Sequence, residues 1–372
     1  MSKEAKILFI AVYILVSLGI IMTYSASAIY ADQAFKSPTY FLKRQILYVM
    51  IGTFFLLFAA GRDPYLFKEH AREILIFSFV LLALVLVPFL GHTAGGARRW
   101  IRLGPINFQP AEISKIAICL YLSDYLSRRI KGIQRGEFMV LLPPILVLVF
   151  TCGLILLQPD LGSSVFIFLV AAILFFLAGI RLRYVLLGSL FFLPSFYFLV
   201  IRVPYRLSRV TAYLNPWNDP QGSGFQIIQS LFAFGMGGLK GVGLGQSTQK
   251  LFYLPQSYND FIFSIIGEEL GFIGTLSILA LYGVILFSGM RIARRARGNY
   301  EKFFVISLIL LIVLQALINM LVATGLIPTK GLPLPFVSYG GSSLVFDLFA
   351  VGLLLAMDRA IQSGRGTSRG SG

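Results

Sequence analysis

The chain has 372 residues, 57% of them hydrophobic and only 13% charged, with a mean hydropathy of +0.81. Soluble domains carry about 25% charged residues, so the composition excludes an ordinary soluble domain and places the chain in the membrane class. The net charge of +16 does not point to nucleic acid, because the basic residues lie in short loops between apolar runs rather than on one soluble face.

A membrane-spanning helix needs roughly 20 mostly apolar residues. Such runs lie near 7–28, 45–60, 74–90, 111–127, 138–157, 162–179, 183–201, 261–290, 302–325 and 343–361. They predict an all-α polytopic membrane protein with about ten transmembrane helices in a single domain over 1–362. The first run is too long and too evenly apolar for a cleaved signal peptide. The fourth carries Glu112 and Lys115 near its start. Ten spans put both termini on one side. Lys3, Lys6, Arg62, Arg72, Arg128, Arg129, Lys131, Arg181, Arg183, Arg291, Arg294 and Arg295 fall on that side, and fewer basic residues fall opposite. The termini are therefore expected on the cytoplasmic side of the membrane. The long loop from about 202 to 260 then lies on the outer face. Residues 363–372 are Gly/Ser/Arg-rich and read as a disordered tail or an expression remnant. Cys119 and Cys152 sit in apolar runs and read as small buried hydrophobes, and no metal-ligand spacing involves them or His70 and His92.

Polar residues at membrane depth are costly and mark candidate sites. On the outer side they gather in four segments. The first runs from Gly95-Gly-Ala-Arg-Arg-Trp-Ile-Arg-Leu-Gly104 to Gln109-Pro-Ala-Glu-Ile-Ser-Lys115, and the second is Gln158-Pro-Asp-Leu-Gly-Ser-Ser164. The third is the long loop, and the fourth is Pro328 to Ser343. Arg99, Arg102 and Lys115, with Arg44 on another loop, would present cations suited to phosphate oxygens. Snorkelling or anionic-lipid contact is the alternative for the arginines. For Lys115 the alternative is an internal ion pair with Glu112, three residues away on the same helix face. In the long loop, Gly235 to Gly245 is glycine-rich but lacks the spacing of a nucleotide-binding loop. Asp260 closes that loop. It reads as a helix N-cap or as a functional carboxylate, and the two roles are compatible. At about 100° per residue, Glu268 falls nearer the face of Asp260 than Glu269 does. Structural hydrogen bonding is the competing role for Glu268.

These segments resemble the SEDS family of shape, elongation, division and sporulation proteins. The likeness rests on Arg98-Arg-Trp-Ile101, Gln109 to Lys115, Gln158-Pro-Asp160, Asn215-Pro-Trp217, Asp260-Phe-Ile-Phe263, Gly267-Glu-Glu-Leu-Gly271 and Pro335-Phe-Val-Ser-Tyr-Gly-Gly-Ser-Ser343. Gly241 to Gly245 and Gln249 to Pro255 resemble the division and sporulation branch more than the elongation branch. One stretch departs: the family's Leu-Pro-Glu followed, after one residue, by His-Thr-Asp here reads Leu254-Pro-Gln256-Ser-Tyr258-Asn259-Asp260.

The resemblance implies an inverting glycosyltransferase that polymerises lipid II onto an undecaprenyl-linked glycan and releases undecaprenyl pyrophosphate. It implies Asp260 as catalytic base, with Arg44, Arg99, Arg102, Glu112, Lys115, Asp160, Glu268, Lys330, Ser338 and Ser342 as the substrate-binding set. It implies no organic cofactor, and it leaves a place for a divalent cation, Mg2+ or Mn2+, although no protein metal site is legible. The implied partners are a class B penicillin-binding transpeptidase, divisome activators and membrane lipids, at the division septum. A lipid II flippase, a divisome scaffold and the same chemistry in cell elongation are the alternatives.

Overall fold

The structure is a computed structural model, and it describes residues 1–89, 91–94, 97–103, 106–251 and 253–364. The expected tail lies outside the described residues from Arg365 onward, as do Gly95, Gly96 and Gly104 of the first outer segment. Thirteen α-helices account for most of the described chain. They are α1 (Lys3–Phe35), α2 (Tyr40–Gly61), α3 (Pro64–Glu69), α4 (Ala71–Leu86), α5 (Pro110–Arg135), α6 (Phe138–Leu157) and α7 (Leu161–Leu177). Then follow α8 (Leu182–Phe196), α9 (Pro204–Leu214), α10 (Phe225–Gly237), α11 (Ile262–Arg295), α12 (Asn299–Ala323) and α13 (Ser342–Gln362). Each of the ten expected spans falls on one of these helices. Five of them, α1, α2, α6, α11 and α12, are long and apolar enough to cross a membrane by length and composition. The protein is a multi-pass membrane protein.

The bundle is organised around α12, which is mostly buried, while α11 turns much of its apolar surface outward. Helices α2 and α13 approach closely because glycines face the partner: a Cβ at Gly352 would strike the Leu56 carbonyl, and one at Gly52 would strike the Leu348 side chain. Small residues permit this backbone approach where lipid offers no hydrophobic drive for association. The Ser2 amide donates to Asp358 at 2.8 Å, and Arg295 pairs with Glu4 at 2.6 Å. The start of α1, the end of α11 and the end of α13 therefore share one side of the bundle. The loop that precedes α11 lies at the other end.

Two features depart from a plain helical bundle. Between α4 and α5 the chain forms an antiparallel three-stranded sheet, β1 (Gly91–Ala94), β2 (Ala97–Leu103) and β3 (Ile106–Phe108), in that order. His92 and Thr93 pair with Trp100 and Arg98, so Arg99 is the extra residue of a β-bulge. Second, α11 is broken at Gly271, with φ 66° and ψ −163°. The interrupted backbone groups are satisfied by the glycine-rich loop: Val242 and Gly243 donate to the Glu268 and Glu269 carbonyls at 2.9 and 3.0 Å, and Phe272 donates to the Gly238 carbonyl at 2.9 Å. Only glycine fits this contact, because a Cβ at Gly241 or Gly271 would strike the opposite backbone.

Candidate active site

The segment ahead of α11 is held carbonyl by carbonyl. Tyr339 N donates to the Tyr258 carbonyl at 3.0 Å, Ser338 Oγ to the Asn259 carbonyl at 2.6 Å, and Asn319 Nδ2 to the Asp260 carbonyl at 2.9 Å. Three successive residues are thus fixed from the 336–341 loop and from α12. Packing adds to this. The Tyr258 ring lies between Tyr30, at 5.7 Å between centroids, and Phe41, at 4.6 Å, with Tyr339 at 6.1 Å. Burial pushes the Tyr258 phenol up to about 12, so it stays protonated at neutral pH. Gln256 is exposed at a left-handed turn with φ 55°.

This clamp acts on the backbone and leaves the Asp260 side chain unengaged. The N-cap of α11 is Phe261, with no side-chain cap. That corrects the reading of Asp260 as a capping residue: the helix begins one residue later than the motif suggests. Among the described residues, nothing hydrogen-bonds to the Asp260 carboxylate. It is half-buried, and a Cβ at Gly331 would lie 3.5 Å from its Oδ2. Desolvation raises its pKa to about 6, with Arg209 and then Arg99 opposing the rise and Asp160 adding to it. A carboxylate poised near 6 that spends no lone pair on the protein has the properties of a general base.

The surrounding charges come from separate elements. Arg99 is re-aimed by its bulge to the turn between α6 and α7, where it donates to the Gln158 carbonyl at 3.2 Å and to the Pro159 carbonyl. Arg209 reaches in from α9 and donates to the Thr329 carbonyl at 3.0 Å. Lys330 follows Thr329 directly. Burial lowers its pKa, and it makes no ion pair among the described residues. Asp160 is the N-cap of α7, accepting from Ser163 N at 3.0 Å, Ser163 Oγ at 2.8 Å and Gln109 Nε2 at 3.2 Å. A Cβ at Gly162 would touch both Asp160 and Lys330. Asp260, Arg99, Arg209, Asp160, Lys330 and Gly331 thus form one neighbourhood.

The remaining expected residues divide into supports and outliers. Ser338 clamps Asn259 as above, and Ser342 accepts from the Gln109 amide at 3.3 Å. Arg44 stacks 4.5 Å over Tyr40 at the rim of the aromatic cluster. Arg102 is exposed on β2. Glu112 and Lys115 form a buried ion pair at 2.7 Å, and Lys115 donates to Gln315 at 2.9 Å; the ion-pair alternative describes this pair. Glu268 accepts from Ser247 Oγ at 2.5 Å, Thr248 N at 2.8 Å and Thr248 Oγ1 at 2.9 Å. Its oxygens hold the outer loop rather than facing Asp260 unpartnered. Glu269 pairs with Lys250 at 2.8 Å. Arg209 was not singled out from sequence. The available signal was the amphipathic pattern of Pro204 to Leu214, read there only as part of a long loop.

The family described as "Cell cycle protein", comprising FtsW, RodA and SpoVE, matches residues 5–363. A "Probable peptidoglycan glycosyltransferase FtsW" of Trichlorobacter lovleyi is 44% identical over 365 residues, covering 97% of this chain and 95% of that one. Stage V sporulation protein E of Bacillus subtilis is 45% identical over 356 residues, covering 95% and 96%. A chain from a structure described as the structural coordination of polymerization and crosslinking by a peptidoglycan synthase complex superposes with a TM-score of 0.77 at 30% identity, covering 95% and 97%. The rod shape determining protein RodA of Thermus thermophilus superposes at 0.69 with 27% identity, covering 95% and 96%.

Proposed function

The chain belongs to the FtsW–RodA–SpoVE family of cell-cycle proteins, and on that footing we propose that it is a peptidoglycan glycosyltransferase that polymerises lipid II during septal wall synthesis. The observation that carries the reading is the Asp260 carboxylate: clamped through its backbone, free of hydrogen bonds among the described residues, and flanked by Arg99 and Arg209. In the reaction, Asp260 takes the proton from the acceptor sugar hydroxyl as that oxygen attacks the donor anomeric carbon. The bond from that carbon to the diphosphate breaks, undecaprenyl pyrophosphate leaves, and the centre inverts from α to β. Arg99, Arg209 and Lys330 face the charge that develops on the leaving diphosphate. Arg209 joins the cation set on structural grounds, and Lys115 leaves it because its ammonium is committed to Glu112 and Gln315.

Among the described residues no group of three or more His, Cys, Asp or Glu side chains converges on one point. A Mg2+ or Mn2+ ion would therefore take most of its ligands from the diphosphate, with Asp160 as the protein oxygen and Asp260 left free as the base. No step above depends on it. The division role follows the 44% identical relative that is named FtsW; the 45% identical relative is named for sporulation. A class B transpeptidase partner follows the synthase-complex neighbour, and divisome activators follow the division role. The excess of basic residues on the side of the termini supports cytoplasmic ends in the inner membrane, with Asp260 on the outer face. The flippase reading rests on polar groups at membrane depth. Glu112, Lys115 and Gln315 are instead buried and paired with one another. Analysis of the product tests the proposal: a β-linked glycan and undecaprenyl pyrophosphate released in proportion support it, and an α-linked product would refute the inverting mechanism.

A further inference from the structure

The segment that brings Lys330 and Gly331 to Asp260 is rich in proline. Pro333 and Pro335 have no N–H to donate, so their carbonyls are the available handles. Asn319 Nδ2 donates to the Leu332 carbonyl at 2.8 Å, Gln315 Nε2 to the Pro333 carbonyl at 3.0 Å, and Tyr282 to the Pro335 carbonyl. Gln315 and Asn319 are four residues apart on α12 and share one face. Asn319 also holds Asp260, so the two residues form one clasp beneath the site.

Gln315 differs from Asn319 in what lies behind it. Its Oε1 accepts from Lys115 Nζ at 2.9 Å, and that ammonium lies 2.7 Å from Glu112. Gln315 is fully buried. A carboxamide has one donating and one accepting end. With an ammonium at Oε1, only the NH2 end can face Pro333, because a flipped amide would set NH2 against NH3+ and oxygen against the carbonyl. The buried ion pair thereby fixes the direction of a hydrogen bond made to the active-site segment. We propose that Gln315 is a positioning residue for the transfer reaction, transmitting the Glu112–Lys115 pair to the Pro333 carbonyl and so holding residues 330–332 against Asp260. This rests on the polymerase reading above. It assigns Lys115 an effect on turnover without contact to the substrate.

The test uses the full chain reconstituted with its class B transpeptidase. Initial rates of glycan synthesis are measured across lipid II concentrations, and hydrogen exchange is followed over residues 329–338. Gln315→Leu is expected to lower kcat about 10- to 100-fold, as small displacements of catalytic groups do, with KM changed less than about twofold. Exchange over 329–338 should accelerate. Gln315→Glu keeps the Lys115 contact but loses the donor, and it should behave like Gln315→Leu. Lys115→Met should also lower kcat, and the double variant should be no worse than the lower single, since both act through one path. Where Lys115→Met leaves Glu112 unpaired and fails to fold, Glu112→Gln/Lys115→Met replaces it. A folded Gln315→Leu protein with normal kcat and normal exchange would overturn the inference. So would a Lys115→Met variant that raises KM, or effects that multiply in the double variant. A wild-type protein that makes no glycan overturns the polymerase reading and this inference together.

Discussion

Replacing Asp260 with asparagine separates proton transfer from folding. The carboxylate makes no hydrogen bond among the described residues and caps no helix, while its carbonyl keeps the bond from Asn319. Asparagine is nearly isosteric, so the clamp on residues 258–260 should survive intact. Losing a general base costs on the order of 10²-fold or more in rate. The raised pKa adds two signed expectations. Asp260 must be ionised to accept a proton, so wild-type kcat/KM should rise with pH through about 6 and level off above it. For stability, the acid is protonated in both folded and unfolded chains below its ordinary value of 3.8, and ionised in both above about 6. Between these values the folded state holds its proton more tightly. The cost of burying the charge is thus fully present above about pH 6 and disappears as pH falls to 3.8. Asp260→Asn should therefore melt at the same or a higher temperature than wild type at neutral pH, and lose that advantage in acid. Glycan synthesis gives the rate, and melting of the detergent-solubilised protein gives the stability. Near-normal turnover by Asp260→Asn would remove this residue from the chemistry, and a rate flat through pH 6 would remove the titration argument.

Other consequences are open to direct measurement. Arg209→Ala removes the larger of the two cationic influences that hold down the Asp260 pKa, so the acid limb of the rate profile should move up and KM for lipid II should rise; an unchanged profile would place Arg209 outside the site. Gly331→Val puts a branched side chain where even an added Cβ would lie 3.5 Å from Asp260 Oδ2, and synthesis should be lost in a protein that melts normally. Lys250→Met leaves Glu269 buried without its cation, which costs about 3–5 kcal/mol and should show as a clear drop in melting temperature. A reporter fused after Gly372 should be active only in its cytoplasmic form; an active periplasmic reporter there would invert the topology.

The helices were legible because each span is a run of apolar residues long enough to cross lipid, a pattern that depends on composition alone. The sheet was not legible. Its strands are short and lie among glycines and arginines, and the bulge that aims Arg99 depends on pairing register. Asp260 stood out as a family-matched carboxylate that closes the long outer loop just ahead of a span. Its local role depended on where α11 starts, and one residue's difference turns a cap into a free side chain. At Asp160 the reverse holds, because a residue singled out for substrate contact also caps α7. For Glu268 the helical wheel is sound up to the break at Gly271, but the 247–249 loop docks onto the carboxylate, and no local pattern encodes that. The run from Gly235 to Gly245 is glycine-rich in sequence without the spacing of a nucleotide-binding loop. Its glycines are needed because a broken helix elsewhere in the chain supplies its hydrogen-bond partners. Arg209 belongs to the site only through tertiary approach of α9 to Thr329.

The most direct test of the central claim is side-by-side reconstitution of the wild-type chain and Asp260→Asn with lipid II and a class B transpeptidase whose crosslinking is blocked by a β-lactam, with glycan resolved by gel. The expected result is a ladder of glycan strands from the wild type and none from Asp260→Asn, although both bind lipid II. Polymer from Asp260→Asn at the wild-type rate, or translocation of lipid II across the vesicle membrane by the wild type without polymer, would contradict it.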